Sequence, residues 1–132
     1  MTTSAPSVLI ETSAWVRYLR RRDPVVQNAV AGLVQSGRAV VCGTVLTELI
    51  GGERNPVNQE RVRSLLQAAR HIEFDEETWF RAGVLLAYLR QRGAAIPTPD
   101  ALIAALALQH GCALYTLDGH FQHVQDLQLY AP

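Results

Sequence analysis

Residues 7–15 read Ser-Val-Leu-Ile-Glu-Thr-Ser-Ala-Trp. Three apolar residues, two of them β-branched, are followed at once by Glu11 and then by Thr12 and Ser13, residue types that commonly begin helices. A short, continuous apolar run is typical of a strand that is buried on both faces of a parallel sheet. The stretch therefore predicts a buried first strand that passes directly into a helix, with a carboxylate at the junction.

The rest of the chain alternates strand-like apolar runs with helical patterns. Residues 39–42 and 113–117 predict further buried strands, and residues 71–74 predict a weaker one. Thr98-Pro99-Asp100 provides a cap, a proline at the first helical position and an acid in the first turn of a helix that is apolar on all sides. Both tryptophans lie at helical spacing with aliphatic residues and are predicted to lie in the core. This alternation favours an α/β fold with a mostly parallel sheet.

Composition limits the classes of protein that the chain can form. Its 132 residues are 48% hydrophobic, which predicts one domain over residues 1–132. The formal net charge is zero, and all twelve basic residues are arginine, so lysine-dependent phosphate loops and Schiff-base chemistry are excluded. Two cysteines without zinc-ligand spacing, and no apolar run of ~18 residues, predict a soluble protein of the cytoplasm with no membrane partner.

Four acidic residues stand in apolar surroundings, unlike most of the others. Glu11 and Asp118 each follow a predicted strand, Glu48 interrupts the apolar run 45–50, and Asp100 opens the most apolar helix. The carboxyl ends of parallel strands face the same edge of a sheet as the amino ends of the helices that follow, so these acids are predicted to meet there. Three of the acids also have an ordinary structural explanation: a helix-dipole partner for Asp100, a turn for Asp118, and the wet face of a helix for Glu48. Glu11 fits such an explanation least, because it directly follows a buried strand.

Several carboxylates in one crevice repel one another and raise each other's pKa unless a cation holds them ionised. Oxygen ligands favour Mg²⁺ or Mn²⁺, and such an ion lowers the pKa of bound water and offsets charge that develops on a phosphate. The acids therefore indicate metal-assisted hydrolysis of a phosphodiester.

Arginines on the first predicted helix are candidates for contact with nucleic-acid phosphate. Arg17, Arg20 and Arg21 carry planar, five-donor guanidinium groups that suit phosphate, although a solvated helix face explains them almost as well. His120 and His123 are interpreted as surface or capping residues, because no ligand pattern surrounds them.

Four segments in this order resemble the PIN-domain ribonucleases, and specifically the VapC-type toxins of toxin–antitoxin pairs. The segments are residues 8–16, 46–49, 98–105 and 115–121. The resemblance implies a three-layer α/β/α sandwich with strand order 3-2-1-4-5. In that order the strands near Cys42 and Cys112 are not neighbours, so both thiols are predicted to be free.

The resemblance also assigns roles to individual residues. Glu48, Asp100 and Asp118 match three acidic metal-binding positions, and Ser13 and Thr116 match small hydroxyl residues that position the acids or the metal-bound water.

Position 11 departs from the family, which nearly always has aspartate there. Glu11 keeps the charge and oxygen ligands expected of a fourth metal-binding, catalytic residue, but its carboxylate lies one methylene farther out. A misplacement of ~1 Å can cost on the order of 10²-fold in rate. This glutamate has two alternative explanations. One is a natural variant with a relaxed metal site, and the other is a substitution that attenuates a protein toxic to its expression host. At His120 the family often has another aspartate.

By resemblance, the chain is a Mg²⁺- or Mn²⁺-dependent endoribonuclease toxin that cuts transfer RNA or ribosomal RNA and so inhibits translation, leaving 5′-phosphate and 3′-hydroxyl ends. The implied partners are a cognate VapB-type antitoxin, a second copy of the chain in a homodimer and the RNA substrate, with DNA bound only through the antitoxin. Glu11 motivates one alternative, a PIN-fold module that binds antitoxin or RNA without cutting. A small-molecule phosphatase is disfavoured, because the chain lacks the pairing of nucleophilic aspartate and lysine that such enzymes use.

Overall fold

The first apolar run forms the central strand of a parallel sheet. A computed structural model describes residues 5–132, which contain four strands and six α-helices. The strands are β1 (Val8–Ile10), β2 (Ala39–Val41), β3 (Arg70–His71) and β4 (Ala113–Tyr115). The helices are α1 (Thr12–Leu19), α2 (Pro24–Gln35), α3 (Gly43–Gly51), α4 (Pro56–Leu66), α5 (Glu76–Gln91) and α6 (Thr98–His110), followed by a 3-10 helix (Gly119–His123). No helix within residues 5–132 is both long and apolar enough to cross a membrane.

The sheet has the order β3-β2-β1-β4, and every strand pair is parallel. Leu9 pairs with Val40 on one side and with Leu114 on the other, and all of β1 is buried. A parallel strand buried on both faces needs helices above and below it, which explains the unbroken apolar run. The predicted α/β class and parallel sheet are confirmed.

The fifth strand expected from the resemblance is shortened to a single bridge between Leu114 and Leu129. The Leu114 amide donates to the Gln128 carbonyl at 2.8 Å, and the Tyr130 amide donates to the Leu114 carbonyl at 2.8 Å. Asp126 adopts a left-handed backbone conformation (φ 67°) just before this segment, so the chain turns immediately before the bridge. The position beside β4 is therefore occupied, but not by a regular strand.

Local sequence explains how α6 begins and ends. The helix begins one residue earlier than predicted: Thr98 is its first residue and not its cap, and the preceding Pro97 has no side-chain cap hydrogen bond. The first turn holds Pro99 and Asp100, and Gly111 ends the helix in the left-handed conformation (φ 64°) that glycine adopts without strain. As predicted, its buried residues lie on all sides: Ala101, Ile103, Ala104, Ala105, Leu106 and Ala107. This burial fixes α6 against the core and so holds Asp100 in place at one end of the helix.

The prediction that both tryptophans lie in the core is right for Trp15 and wrong for Trp79. Trp15 is fully buried, whereas Trp79 is 55% exposed. The inward face of α5 includes Ala82 and Leu89, which share the predicted stripe with Trp79, but at the first turn it is Thr78 that is buried. The ring of Trp79 packs instead against Phe74, with 5.4 Å between ring centroids. Cys42 and Cys112 are buried and free, as predicted.

Candidate active site

Parallel pairing brings the predicted site residues to one edge of the sheet. The Glu11 amide donates to the Tyr115 carbonyl at 2.9 Å, so the junction after β1 lies beside the end of β4. Thr116 and Asp118 follow β4 directly. Asp100, in the first turn of α6, reaches the same edge, because its carboxylate lies 3.0 Å from the ring of His120, two residues after Asp118. Three of the four predicted acids therefore lie at the carboxyl edge of the sheet.

Asp100, Asp118 and His120 form the tightest cluster at this edge. The ligand atoms of these three side chains lie within 4.8 Å of one another. His120 Nδ1 lies 3.0 Å from Asp100 Oδ2 and 3.3 Å from Asp118 Oδ1. Within residues 5–132 this is the only such group of at least three His, Cys, Asp or Glu side chains. The interpretation of His120 as a surface or capping residue is wrong, because the position of its ring depends on a turn. Two signals pointed to the site: its spacing, two residues after Asp118, and the aspartate that the family often has there.

The turn that places His120 is built by Asp118. Asp118 Oδ1 accepts a hydrogen bond from the His120 amide at 3.0 Å, which starts the 3-10 helix. Hydrogen bonding with Asp100, aided by the charge of Asp118, raises the pKa of His120. Asp118 is thus both the turn residue that its Asp-Gly sequence predicts and a member of the cluster.

Glu11 is buried beside the cluster and is held by two hydroxyl groups. Glu11 Oε1 accepts hydrogen bonds from Ser13 Oγ at 2.5 Å and from Thr116 Oγ1 at 2.6 Å. Burial raises the pKa of Glu11, the two hydroxyl hydrogen bonds oppose this effect, and the charge of Asp100 adds to it. Glu11 is not part of the group of three; its carboxylate is bonded to the Ser13 and Thr116 hydroxyl groups instead.

The same two hydroxyl groups also bind the loop that follows β4. Ser13 Oγ accepts from the Leu117 amide at 2.9 Å, and Thr116 Oγ1 accepts from the Asp118 amide at 3.0 Å. Ser13 and Thr116 therefore connect the Glu11 carboxylate to the backbone that presents Asp118. Their predicted role as positioning residues is consistent with these contacts.

Glu48 lies apart from the group of three. It projects from α3, and Glu48 Oε1 accepts a hydrogen bond from Thr12 Oγ1 at 3.1 Å. It lines a cleft of about 340 Å³ together with Val16 and Arg20. Glu48 therefore lies beside Thr12, the residue after Glu11, at the rim of the site.

The three candidate arginines differ in their surroundings. Arg20 lines a cleft of about 470 Å³ together with Ser13 and Asp118, and it also lines the cleft of Glu48. Arg17 lines the larger cleft but forms an ion pair with Asp23 at 3.1 Å. Arg21 follows α1 in a left-handed conformation (φ 53°) and lines neither cleft. Arg20 is therefore the arginine that lies between the acids of the two clefts.

The spacing of the cluster fits a divalent cation. Two donor atoms that are each ~2.1 Å from an ion, and at right angles, lie ~3.0 Å apart. The distances from His120 Nδ1 to the Asp100 and Asp118 oxygens, 3.0 and 3.3 Å, are close to that value. The donor set of carboxylate oxygen and imidazole nitrogen is also one that divalent metals accept.

Comparison with known proteins identifies the family. A family model described as PIN domain matches residues 8–127. The chain therefore belongs to the PIN domain family, and the predicted resemblance is confirmed. Ribonuclease VapC11 of Mycobacterium tuberculosis is 29% identical over 118 residues, which cover 86% of this chain and 88% of that protein.

Solved structures agree on the fold. VapBC2 from Rickettsia felis, bound to a DNA fragment from its promoter, superposes with a TM-score of 0.80 at 22% identity, covering 93% of this chain and 96% of the matched chain. Mycobacterium tuberculosis VapC20, described as a sarcin-ricin loop cleaving toxin, superposes with a TM-score of 0.71 at 18% identity, covering 95% of this chain and all of VapC20.

Proposed function

We propose that the protein is the toxin of a toxin–antitoxin pair and acts as a metal-dependent endoribonuclease on structured RNA. The observation that carries the proposal is the cluster of Asp100, Asp118 and His120 at the carboxyl edge of the sheet in a PIN-family chain. The name of the 29% identical relative, a VapC ribonuclease, supports this activity. Transfer RNA and ribosomal RNA are the proposed substrates, and their cleavage in the cytoplasm would inhibit translation.

The proposed cofactor is Mg²⁺ or Mn²⁺, held by Asp100 and Asp118 with the help of neighbouring side chains. When bound, such an ion activates water and offsets charge on the phosphate that is cut. Ser13 and Thr116 keep the Glu11 carboxylate beside the cluster through the hydrogen bonds described above. Glu11, which is buried beside the cluster, and Glu48, which lies at the rim, are proposed as further catalytic and metal-binding residues.

Arg20 is the proposed first contact for RNA. Arg20 lines the cleft that Asp118 also lines, so a phosphate bound to Arg20 in that cleft would lie next to the acidic cluster. Arg17 and Arg21 are proposed to add a weaker attraction: Arg17 lines the same cleft but is already paired with Asp23, and Arg21 lines neither cleft. RNA would thus approach along the exposed side of α1.

The proposed protein partners are a VapB-type antitoxin and a second copy of the chain. The solved neighbours include VapBC2 bound to promoter DNA and a toxin–antitoxin complex from Klebsiella pneumoniae, which supports an antitoxin partner. In this proposal the antitoxin covers the acidic cleft and makes the contacts with DNA. The exposed apolar side chains of α5, which are Trp79, Phe80 and Val84, favour a homodimer through that helix.

Mapping of new RNA 5′ ends tests the proposed function. Total RNA is incubated with the purified protein and Mg²⁺ or Mn²⁺, beside Asp100→Asn and the matched control Asp126→Asn, which changes an exposed aspartate outside the cluster. We expect new 5′-phosphate ends at discrete sites with the original protein and the control, but none with Asp100→Asn or after chelation. Absence of cutting with either metal would instead favour the binding module.

A further inference from the structure

His120 is placed as a metal ligand would be, although its residue type sets it apart from the acids around it. Its ring nitrogen Nδ1 faces both carboxylates of the cluster, at 3.0 Å from Asp100 and 3.3 Å from Asp118. Neither distance leaves room for another side chain between the ring and the acids. The nitrogen therefore lies where a third donor to an ion held by Asp100 and Asp118 is needed.

The backbone places the His120 side chain next to the acids. The His120 amide is bonded to the Asp118 carboxylate, and the next residue, Phe121, is buried in the core at 1% exposure. His123 lies on the same 3-10 helix but is exposed and does not belong to the cluster. The buried Phe121 and the hydrogen-bonded amide hold the backbone of His120 beside the acids, while its side chain remains 53% exposed. His123 provides a matched histidine outside the cluster.

We propose that His120 is a ligand of the bound ion and gives the site a preference for first-row transition ions over Mg²⁺. The proposal rests on the proposed metal-dependent function. Imidazole nitrogen is a borderline-soft donor that suits transition metals, whereas Mg²⁺ prefers oxygen donors and dehydrates reluctantly. A site with two carboxylates and one imidazole therefore discriminates against Mg²⁺ more strongly than a site with three carboxylates.

The competing explanation is that His120 only forms an ion pair with the two acids. An ion pair predicts that a divalent cation displaces the imidazole, so that removal of the ring leaves metal affinity unchanged or improved. A ligand predicts the opposite, because the ion then loses one of its donors. The two explanations are separated by metal binding and by detection of nitrogen next to the ion.

The test uses Mn²⁺ as the probe, at one mildly alkaline pH, on the full chain without RNA. Mn²⁺ binding is measured from the electron paramagnetic resonance signal of the free ion, and coordinated nitrogen is detected by ¹⁴N modulation of the pulsed signal. Mg²⁺ is then added to displace Mn²⁺. The variants are His120→Ala, His120→Asp and the control His123→Ala.

We expect ¹⁴N modulation in the original protein and in His123→Ala, and its loss in both His120 variants. His120→Ala should weaken Mn²⁺ binding by about tenfold or more, the range that loss of a supporting group at a metal site produces. His120→Asp should keep Mn²⁺ binding but require about tenfold less Mg²⁺ for displacement.

Two results would overturn the inference in distinguishable ways. If Mn²⁺ binds without ¹⁴N modulation, and His120→Ala binds it as tightly as the original, the histidine is not a ligand and the proposed function stands. If neither the original protein nor any variant binds Mn²⁺, both the inference and the metal-dependent function fail.

Discussion

Shortening Glu11 to aspartate tests the most unusual feature of the site. In the structure, Glu11 Oε1 accepts two hydrogen bonds, from Ser13 at 2.5 Å and from Thr116 at 2.6 Å, and the side chain is 6% exposed. Removal of one methylene draws the carboxylate back toward its own backbone by ~1.5 Å, roughly one carbon–carbon bond. At that displacement at least one of the two hydroxyl groups loses its partner.

The cost in stability follows from these contacts. A hydrogen bond to a charged acceptor contributes ~1.5–3 kcal/mol, and a buried methylene contributes ~0.8 kcal/mol. Glu11→Asp should therefore lower the free energy of unfolding of the metal-free protein by about 2–4 kcal/mol. Ser13→Ala removes one of the same hydrogen bonds while leaving Glu11 in place, so it should account for part of this loss.

The effect on cleavage should have the opposite sign. A carboxylate that is released from the hydroxyl groups and withdrawn toward the position of the family's aspartate is better placed for an ion, and correction of a ~1 Å error can raise the rate by up to ~10²-fold. Urea unfolding with a chelator present measures the first effect, and single-turnover cleavage of a mapped RNA site measures the second. Glu60→Asp, an exposed control, should change neither.

The reasoning would be refuted by a Glu11→Asp protein that is as stable as the original and cleaves no faster. Such a result would mean that Ser13 and Thr116 do not restrain the carboxylate. A loss of stability without any gain in rate would assign Glu11 a purely structural role.

Further predictions concern residues outside the acidic cluster. Hydrogen bonding, chiefly from Gln109, lowers the pKa of Asp75 from 3.8 to about 2. The contribution of Asp75 to stability is therefore complete above the higher value and is lost as the pH falls through the lower one. In urea unfolding, the free energy of unfolding of Asp75→Asn should decline less over that pH window than that of the original protein, and an equal decline would contradict the assignment. Phe80→Glu should convert a homodimer into a monomer in size-exclusion chromatography with light scattering, and a persistent dimer would place the interface elsewhere. Arg20→Ala should weaken RNA binding and reduce its salt dependence by about one phosphate contact, whereas Arg21→Ala should have little effect. Equal effects of the two variants would argue against RNA binding in the cleft beside Asp118.

The sequence predicts the sheet edge well, because the edge depends on local patterns. The apolar run before Glu11, the strand before Asp118 and the proline at the start of α6 each mark an end, and parallel pairing then brings those ends together. The error at Trp79 has a different origin. Helical spacing predicts that one face of α5 is buried, but which face depends on the neighbouring helix α6, which lies in contact with α5.

The details of the site are less predictable, because they depend on contacts between distant residues. Glu11 and Thr116 are 105 residues apart, and their hydrogen bond exists only because the register of β1 with β4 places them together. His120 joins the acids because Asp118 caps a short 3-10 helix, and an Asp-Gly pair predicts a turn without fixing the direction of the next side chain. Sequence analysis therefore finds the acids but not the hydrogen bonds that arrange them.

Location of the bound ion tests the central claim most directly. A crystal soaked in Mn²⁺ is measured near the manganese absorption edge, and the anomalous difference map is inspected at the carboxyl edge of the sheet. We predict a peak between the carboxylates of Asp100 and Asp118, within bonding distance of both, that is absent from Asp100→Asn crystals. A Mn²⁺ peak only at another place, or no peak at these acids at a saturating Mn²⁺ concentration, would contradict a metal-dependent nuclease site in this chain.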